Sequence, residues 1–284
     1  MRWRNRRQSS NVEDRRGLGG RKIAVGGGIG TLVVAILYLL LGGNLGDEVP
    51  ELGLSPQAGI PAESRPLTAA EREAGEFVSV VLADTEDVWN ALFREQGKAY
   101  EEPKLVLFTD LTTSGCGTAQ SASGPFYCPG DETVYIDLGF FAQMQERLQA
   151  PGDFAMAYVI AHEVGHHVQR QLGITEQVMS FQGRTDEREF NQAMVRLELQ
   201  ADFLAGVWAH HAQRMQDILE EGDVEEGINA AGAVGDDRIQ RMTQGYVVPD
   251  AFTHGTSEQR VRWFLRGFKS GDLGQGDTFA ADDL

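Results

Sequence analysis

The hydrophobic pattern of this chain changes character twice before settling into a globular rhythm. Ile23 to Leu41, "IAVGGGIGTLVVAILYLLL", is an unbroken, uncharged run. At about 1.5 Å per residue, a helix of that length nearly matches the roughly 30 Å hydrocarbon core of a bilayer. Residues 42–67 follow, dense in Gly, Pro and Ser with no apolar period, and read as a linker. From Thr68 onward apolar positions recur at helical or strand spacing. Thr68 with Glu71 has capping-box form and predicts a helix start, continued by Ala74, Phe77, Val78, Val81 and Leu82. A second helical piece is predicted from Glu86 to Gln96, stopped by Gly97.

Lys104 to Thr109, "KLVLFT", has the short β-branched character of a strand. "PFYCPGDETVYIDL" predicts a hairpin, with strands at Phe126–Cys128 and Thr133–Leu138 around a turn at Pro129–Asp131. Helices are predicted over Phe140–Gln149, from an N-cap at Asp153 to Gly173, and over Asn191–Met215, Val224–Met242 and Ser257–Lys269. The expected class is α+β, mostly helical with a small β-sheet.

Charge adds a topology to this picture. Residues 1–22 hold eight Arg or Lys against Glu13 and Asp14, while the chain as a whole carries net −17. A basic cluster just before an apolar run predicts, by the positive-inside rule, a cytoplasmic N-terminus. The expected organisation is a basic cytoplasmic tail (1–22), one transmembrane anchor (23–41), a linker (42–67) and an acidic domain (68–284) outside the cytoplasm, in the periplasm or on the outer face of the cytoplasmic membrane. The basic tail reads as a topology signal rather than a nucleic-acid site, so no nucleic-acid partner is expected. Cys116 and Cys128 are the only cysteines. A disulfide between them is the default in such a compartment. Metal binding is the weaker alternative, because neither has a partner at C-x-x-C spacing.

The candidate chemistry lies in "YVIAHEVGHHVQ", residues 158–169. Residues four apart share a helix face, so His162 and His166 can point two imidazoles at one ion. Glu163, one residue on, reaches the open side of that ion. This is the H-E-x-x-H arrangement of zinc peptidases, in which the glutamate acts on a zinc-bound water. The apolar run before it, Phe154–Ala161, is too short to cross a bilayer, which points to a domain outside the lipid. A third ligand is needed, and a histidine six residues after His166 is absent, since Leu172 stands there.

"RLELQADFLAGVWA" supplies Glu198 as the third ligand, with Asp202 four residues on to hold a ligating histidine by its other ring nitrogen. The alternative is a solvated acidic pair, but Leu197, Ala201, Leu204 and Trp208 border these carboxylates with a buried stripe. His210 and His211 are rival ligands, about 18 Å along the same helix. His254, in the turn "AFTHGTSEQR", is either an oxyanion donor or merely the residue leading into a helix. His167 lies off the metal face and receives no role.

"AHEVGHHVQ", "ELQADFLAGVWA", "GPFYCPGDETVYID" and "THGTSEQRV" together resemble the neutral zinc metallopeptidases of bacteria, the YpfJ-like, membrane-anchored group. The resemblance extends over most of the chain, including the Arg-rich start. The glutamate helix and the late histidine are also similar to the CAAX-prenyl endopeptidases, which implies the roles of Glu198, Asp202 and His254.

The expected protein is therefore a membrane-anchored zinc endopeptidase with a gluzincin-like zincin domain, one Zn²⁺ per chain and a peptide or protein substrate. His162, His166 and Glu198 are its expected ligands, Glu163 its base. Thr133–Leu138 is the expected sheet edge for an extended substrate. The rival reading is a zinc-stabilised scaffold module of the cell envelope that cuts nothing. A zinc hydrolase acting on a non-peptide amide is the third.

Overall fold

A computed structural model describes residues 1–16, 66–120 and 124–284. The first long element is helix α1 (Ala69–Glu95). It opens on a two-way cap: the Thr68 hydroxyl accepts from the Glu71 amide at 3.2 Å, and the Thr68 amide donates to the Glu71 carboxylate at 2.7 Å. The break expected near Glu86 does not occur. Thr85, Glu86, Val88 and Trp89 are all buried, and the helix runs on through them.

The sheet has four strands in the order β1 (Val12–Asp14), β2 (Lys104–Phe108), β6 (Thr133–Asp137), β5 (Phe126–Cys128). β1 and β6 flank β2 in parallel, and β5 pairs antiparallel with β6. β6 is thus interior, which corrects the expectation that Thr133–Leu138 forms an open edge. Its five residues are all buried, as a strand covered on both faces requires. Among the described residues, the free edge on that side is β5. A separate hairpin, β3 (Leu111–Ser114) and β4 (Gly117–Gln120), was not legible in the hydrophobic pattern. Its turn is tied to the end of β5 by a Cys116–Cys128 disulfide, with Cα atoms 5.8 Å apart.

After a short helix α2 (Gly139–Glu146) comes α3 (Asp153–Gln171). Its N-cap is Gly152, and Asp153 is its first helical residue rather than its cap. Helix α4 (Ile174–Met179) and the long helix α5 (Glu187–Gln216) follow. The single helix expected over 224–242 is two, α6 (Asp223–Ala233) and α7 (Asp236–Gln244). The chain turns at Gly235, where a Cβ would meet the Ser257 amide at 2.3 Å. The last helix is α8 (Ser257–Ser270), again opened by a capping box, Thr256 with Gln259.

α3 packs against α1, α5 and α6, and α5 packs along α8. The α5–α8 crossing is unusually close. A Cβ at Gly206 would lie 2.1 Å from the Phe264 carbonyl, and one at Gly267 would lie 2.0 Å from the Phe203 carbonyl. Two glycines facing each other across the crossing let the backbones touch, as small residues do at tight helix contacts.

Residues 1–16 correct the expected topology. β1 is hydrogen-bonded into the same sheet as the rest of the domain. Arg6 pairs with Asp84 at 2.6 Å, and Arg7 with Glu86 and Asp87 at 2.8 and 2.7 Å, all three acids on α1. The Met1 nitrogen reaches Asp153 at the start of α3. A single span at 23–41 would put these partners on opposite sides of a bilayer, where they could not bond. The Arg-rich start neutralises the domain's own acid rather than marking a cytoplasmic side. The expected anchor lies outside the described residues, and among the described residues no helix is long and apolar enough to cross a membrane. The single-pass arrangement, with its cytoplasmic tail and extracytoplasmic domain, is overturned.

Candidate functional site

Two helices and one loop supply the site. α3 carries His162, Glu163 and His166, α5 carries Glu198 and Asp202, and the loop ahead of α8 carries His254. Gly165, inside the α3 motif, lets the helices come together: a Cβ there would meet the Ala201 carbonyl at 3.1 Å.

His162, His166 and Glu198 converge, one donor atom from each lying within 4.8 Å of the others. His162 Nε2 is 3.2 Å from Glu198 Oε2, and His166 Nε2 is 3.5 Å from Glu198 Oε1. The two rings stand nearly perpendicular, 4.8 Å between centroids. Each imidazole is held from behind. His162 Nδ1 lies 2.9 Å from Asp202 Oδ1, and His166 Nδ1 lies 2.9 Å from Gln169 Oε1. A carboxylate or amide oxygen can only accept, so each Nδ1 carries a hydrogen, which leaves Nε2 as the ring atom that can face an ion. Two imidazoles and one carboxylate could hold zinc and leave a position open, the donor set of a catalytic site. Glu163, largely buried, neighbours this group on α3.

Asp202 is the hub behind the site and is wholly buried. Besides His162 it accepts from Arg260 through both oxygens, at 2.8 and 2.9 Å, and from the Tyr158 hydroxyl. Burial, the largest single influence, would raise its pKa, but Arg260 and His162 together outweigh it and hold it below the usual carboxylate range. Burial likewise pulls on His162, yet Asp202 at Nδ1 and Glu198 at Nε2 push its pKa to about 9 in the metal-free site. Glu198 is driven well below its ordinary value against burial, chiefly by the His166 and His254 charges.

His254 is placed by a carboxylate beneath it. Asp236, at the start of α7, accepts from the amides of Thr253, His254 and Gly255 at 2.8, 2.7 and 3.1 Å. Its other oxygen lies 3.3 Å from His254 Nδ1. His254 feels the Glu198 charge, which with Asp236 raises its pKa against the effect of burial. The rival histidines go elsewhere. His210 Nδ1 meets the Phe268 carbonyl and His211 Nε2 the Gly271 carbonyl, each at 2.8 Å, so both tie α5 to the end of α8.

Arg260, Tyr158, Gln169 and Asp236 escaped sequence reasoning, though some left signals. Arg260 sits on the apolar stripe of α8 with Trp263, Phe264 and Gly267, all buried. A charge inside a buried stripe announces a buried partner. Tyr158 precedes His162 by four residues and Gln169 follows His166 by three, each on the face of a candidate ligand. Asp236 had no such signal, because only the tertiary fold brings it under His254.

Against this geometry, the comparisons with known proteins are direct. The family described as "Putative neutral zinc metallopeptidase" matches residues 1–279. The chain belongs to this family. It is 50% identical to "Uncharacterized protein YpfJ" of Escherichia coli (strain K12), over 98% of this chain and 99% of that protein. It is 39% identical to "Uncharacterized protein Rv2575" of Mycobacterium tuberculosis (strain ATCC 25618 / H37Rv), over 75% of this chain and 74% of that one. No solved structure matches it. Family membership supports zinc peptidase chemistry in general, with zinc as the metal and peptides or proteins as the substrate class.

Proposed function

We propose that this chain is a zinc-dependent endopeptidase in which His162, His166 and Glu198 hold one zinc and Glu163 serves as the general base. The observation that carries the reading is the convergence of those three donors, each imidazole fixed through Nδ1. A structural zinc site does not need a non-ligating glutamate beside it, and Glu163 is placed one residue from His162 on α3. Bound there, zinc would polarise the scissile carbonyl and lower the pKa of the attacking water.

The protein's own groups do the rest. Glu163 takes the proton from the attacking water and passes it to the leaving amine. Asp202, charge-balanced by Arg260, keeps His162 in the ligating tautomer. His254, oriented by Asp236, donates to the oxyanion as the carbonyl becomes tetrahedral. The free edge of the sheet, β5, pairs with an extended substrate main chain, in place of the interior β6.

The test uses the full chain, because residues 1–16 belong to the folded body. Zinc per chain and casein cleavage are measured for the wild type and Glu163→Ala. The expected result is one zinc in both and cleavage only in the wild type. Zinc in both with no cleavage in either would favour a scaffold, and no zinc in either would sink the reading.

A further inference from the structure

His167 is the one titratable member of the "HEVGHH" run that the proposed chemistry does not use. It is 1% exposed and neighbours the ligand His166, yet it points to a different element. Its Nδ1 lies 3.0 Å from the Tyr127 hydroxyl on β5. Its Nε2 lies 2.6 Å from the Glu101 carbonyl, in the segment leading into β2. The Glu101 carbonyl accepts from Nε2–H in the tautomer that leaves Nδ1 to accept from Tyr127, and the Gln171 side-chain amide also lies 2.6 Å from Nε2. The ring is also packed edge-on by Tyr100 and Tyr127, at 5.8 and 5.5 Å. β5 has three residues and, among the described residues, is paired on one side only, to β6.

We infer that the Tyr127–His167 contact is a positioning bracket that sets the substrate-pairing edge of β5 at a fixed height and register relative to the metal-binding helix. Successive residues of α3 do the two jobs. His166 faces the metal group, and His167, rotated by one helical step of about 100°, grips the edge strand. The distance between the cutting atoms and the substrate strand is thereby set through adjacent Cα atoms, with no loop between. A misplacement of about 1 Å in such a relationship is enough to cost a large factor in rate or binding. The disulfide holds the far end of β5, at Cys128, and the hydroxyl holds its middle. Neither residue touches the reacting atoms.

This inference rests on the peptidase reading, and the experiment separates the two. The full-length, zinc-loaded protein is made as wild type, Glu163→Ala and Tyr127→Phe. Casein cleavage is followed as KM and kcat, together with zinc affinity and melting temperature. Tyr127 is partly exposed and the change removes one oxygen atom, so folding is expected to persist. Tyr127→Phe should raise KM about fivefold or more, with kcat and zinc affinity within about twofold of wild type. A merely structural contact would lower the melting temperature and leave KM alone, which would overturn the inference. A fall in kcat at fixed KM would also overturn it, because it would place the hydroxyl with the reacting groups. If Glu163→Ala keeps its activity, or the wild type cuts nothing, the peptidase reading fails and takes the bracket with it. If Glu163→Ala is dead and Tyr127→Phe keeps its KM, the bracket alone fails.

Discussion

Asp202 touches both His162 and Arg260: Oδ1 lies 2.9 Å from the imidazole Nδ1, and Oδ2 lies 2.8 Å from the guanidinium Nε. One carboxylate thus fixes the tautomer of a proposed ligand while its own charge is balanced from the other side. Asp202→Asn keeps the shape but removes the charge that makes Nε2 a strong donor. Zinc affinity should fall about 10- to 100-fold, the usual cost of losing a carboxylate behind a ligating histidine. Competition against a chromophoric chelator measures it. An unchanged affinity would remove Asp202 from the site.

Arg260 makes a separate prediction, about folding. Arg260→Ala leaves buried Asp202 with only the His162 imidazole against its charge, and removing one partner of a buried pair costs about 3–5 kcal/mol. Arg260→Lys restores the charge without the two-nitrogen fork and should recover only part of the loss. Urea unfolding of the three proteins in the metal-free form gives the comparison. A loss under about 1 kcal/mol for the alanine variant would mean that water reaches Asp202.

What the sequence revealed and what it hid follow from the range of the forces involved. His162, His166, Glu198 and Asp202 were legible because helical spacing is a local rule, and two i, i+4 pairs need only one tertiary contact to meet. The α3 and α5 helices, the β2 strand and the β5–β6 hairpin were readable for the same reason. Gly206 and Gly267 looked like ordinary helix glycines, since the carbonyls they approach belong to another helix. β1 was hidden because "VED" carries no strand pattern, and it is held by parallel pairing to β2 and by arginines reaching α1. The same arginines gave a false topology. A basic cluster beside an apolar run reads as an orientation signal, and local sequence does not disclose that its acidic partners lie some 70 to 80 residues away.

The His162 pKa near 9 in the metal-free site predicts how zinc loading depends on pH. Zinc must displace the proton from Nε2, so below that pKa each zinc bound releases one proton from this residue. Apparent affinity should rise about tenfold per pH unit between roughly pH 6.5 and 8.5, then flatten. Calorimetry in buffers of different ionisation enthalpy counts the protons. Zero proton release at pH 7 would show His162 neutral before metal arrives.

Asp84 predicts a stability effect away from the site. It is 2% exposed on α1; Arg6 takes Oδ1, and Oδ2 has no partner among the described residues. Burial outweighs the Arg6 charge and raises its pKa from an ordinary 3.8 to about 7. Between those two pH values the folded chain holds this proton and the unfolded chain does not. The sign follows: the group's contribution is most favourable below about pH 4, falls as pH rises, and is fully lost above about pH 7. At about 1.4 kcal/mol per pKa unit the span is at most a few kcal/mol. Asp84→Asn keeps an acceptor for Arg6 and cannot ionise. It should melt higher than wild type at pH 8, by an amount that shrinks toward zero near pH 4. Thermal melts of both proteins from pH 4 to 8 decide it. If the asparagine variant is the less stable one at pH 8, the Arg6–Asp84 ion pair is worth more than the burial it demands, and the N-terminal segment is held to α1 by charge rather than in spite of it.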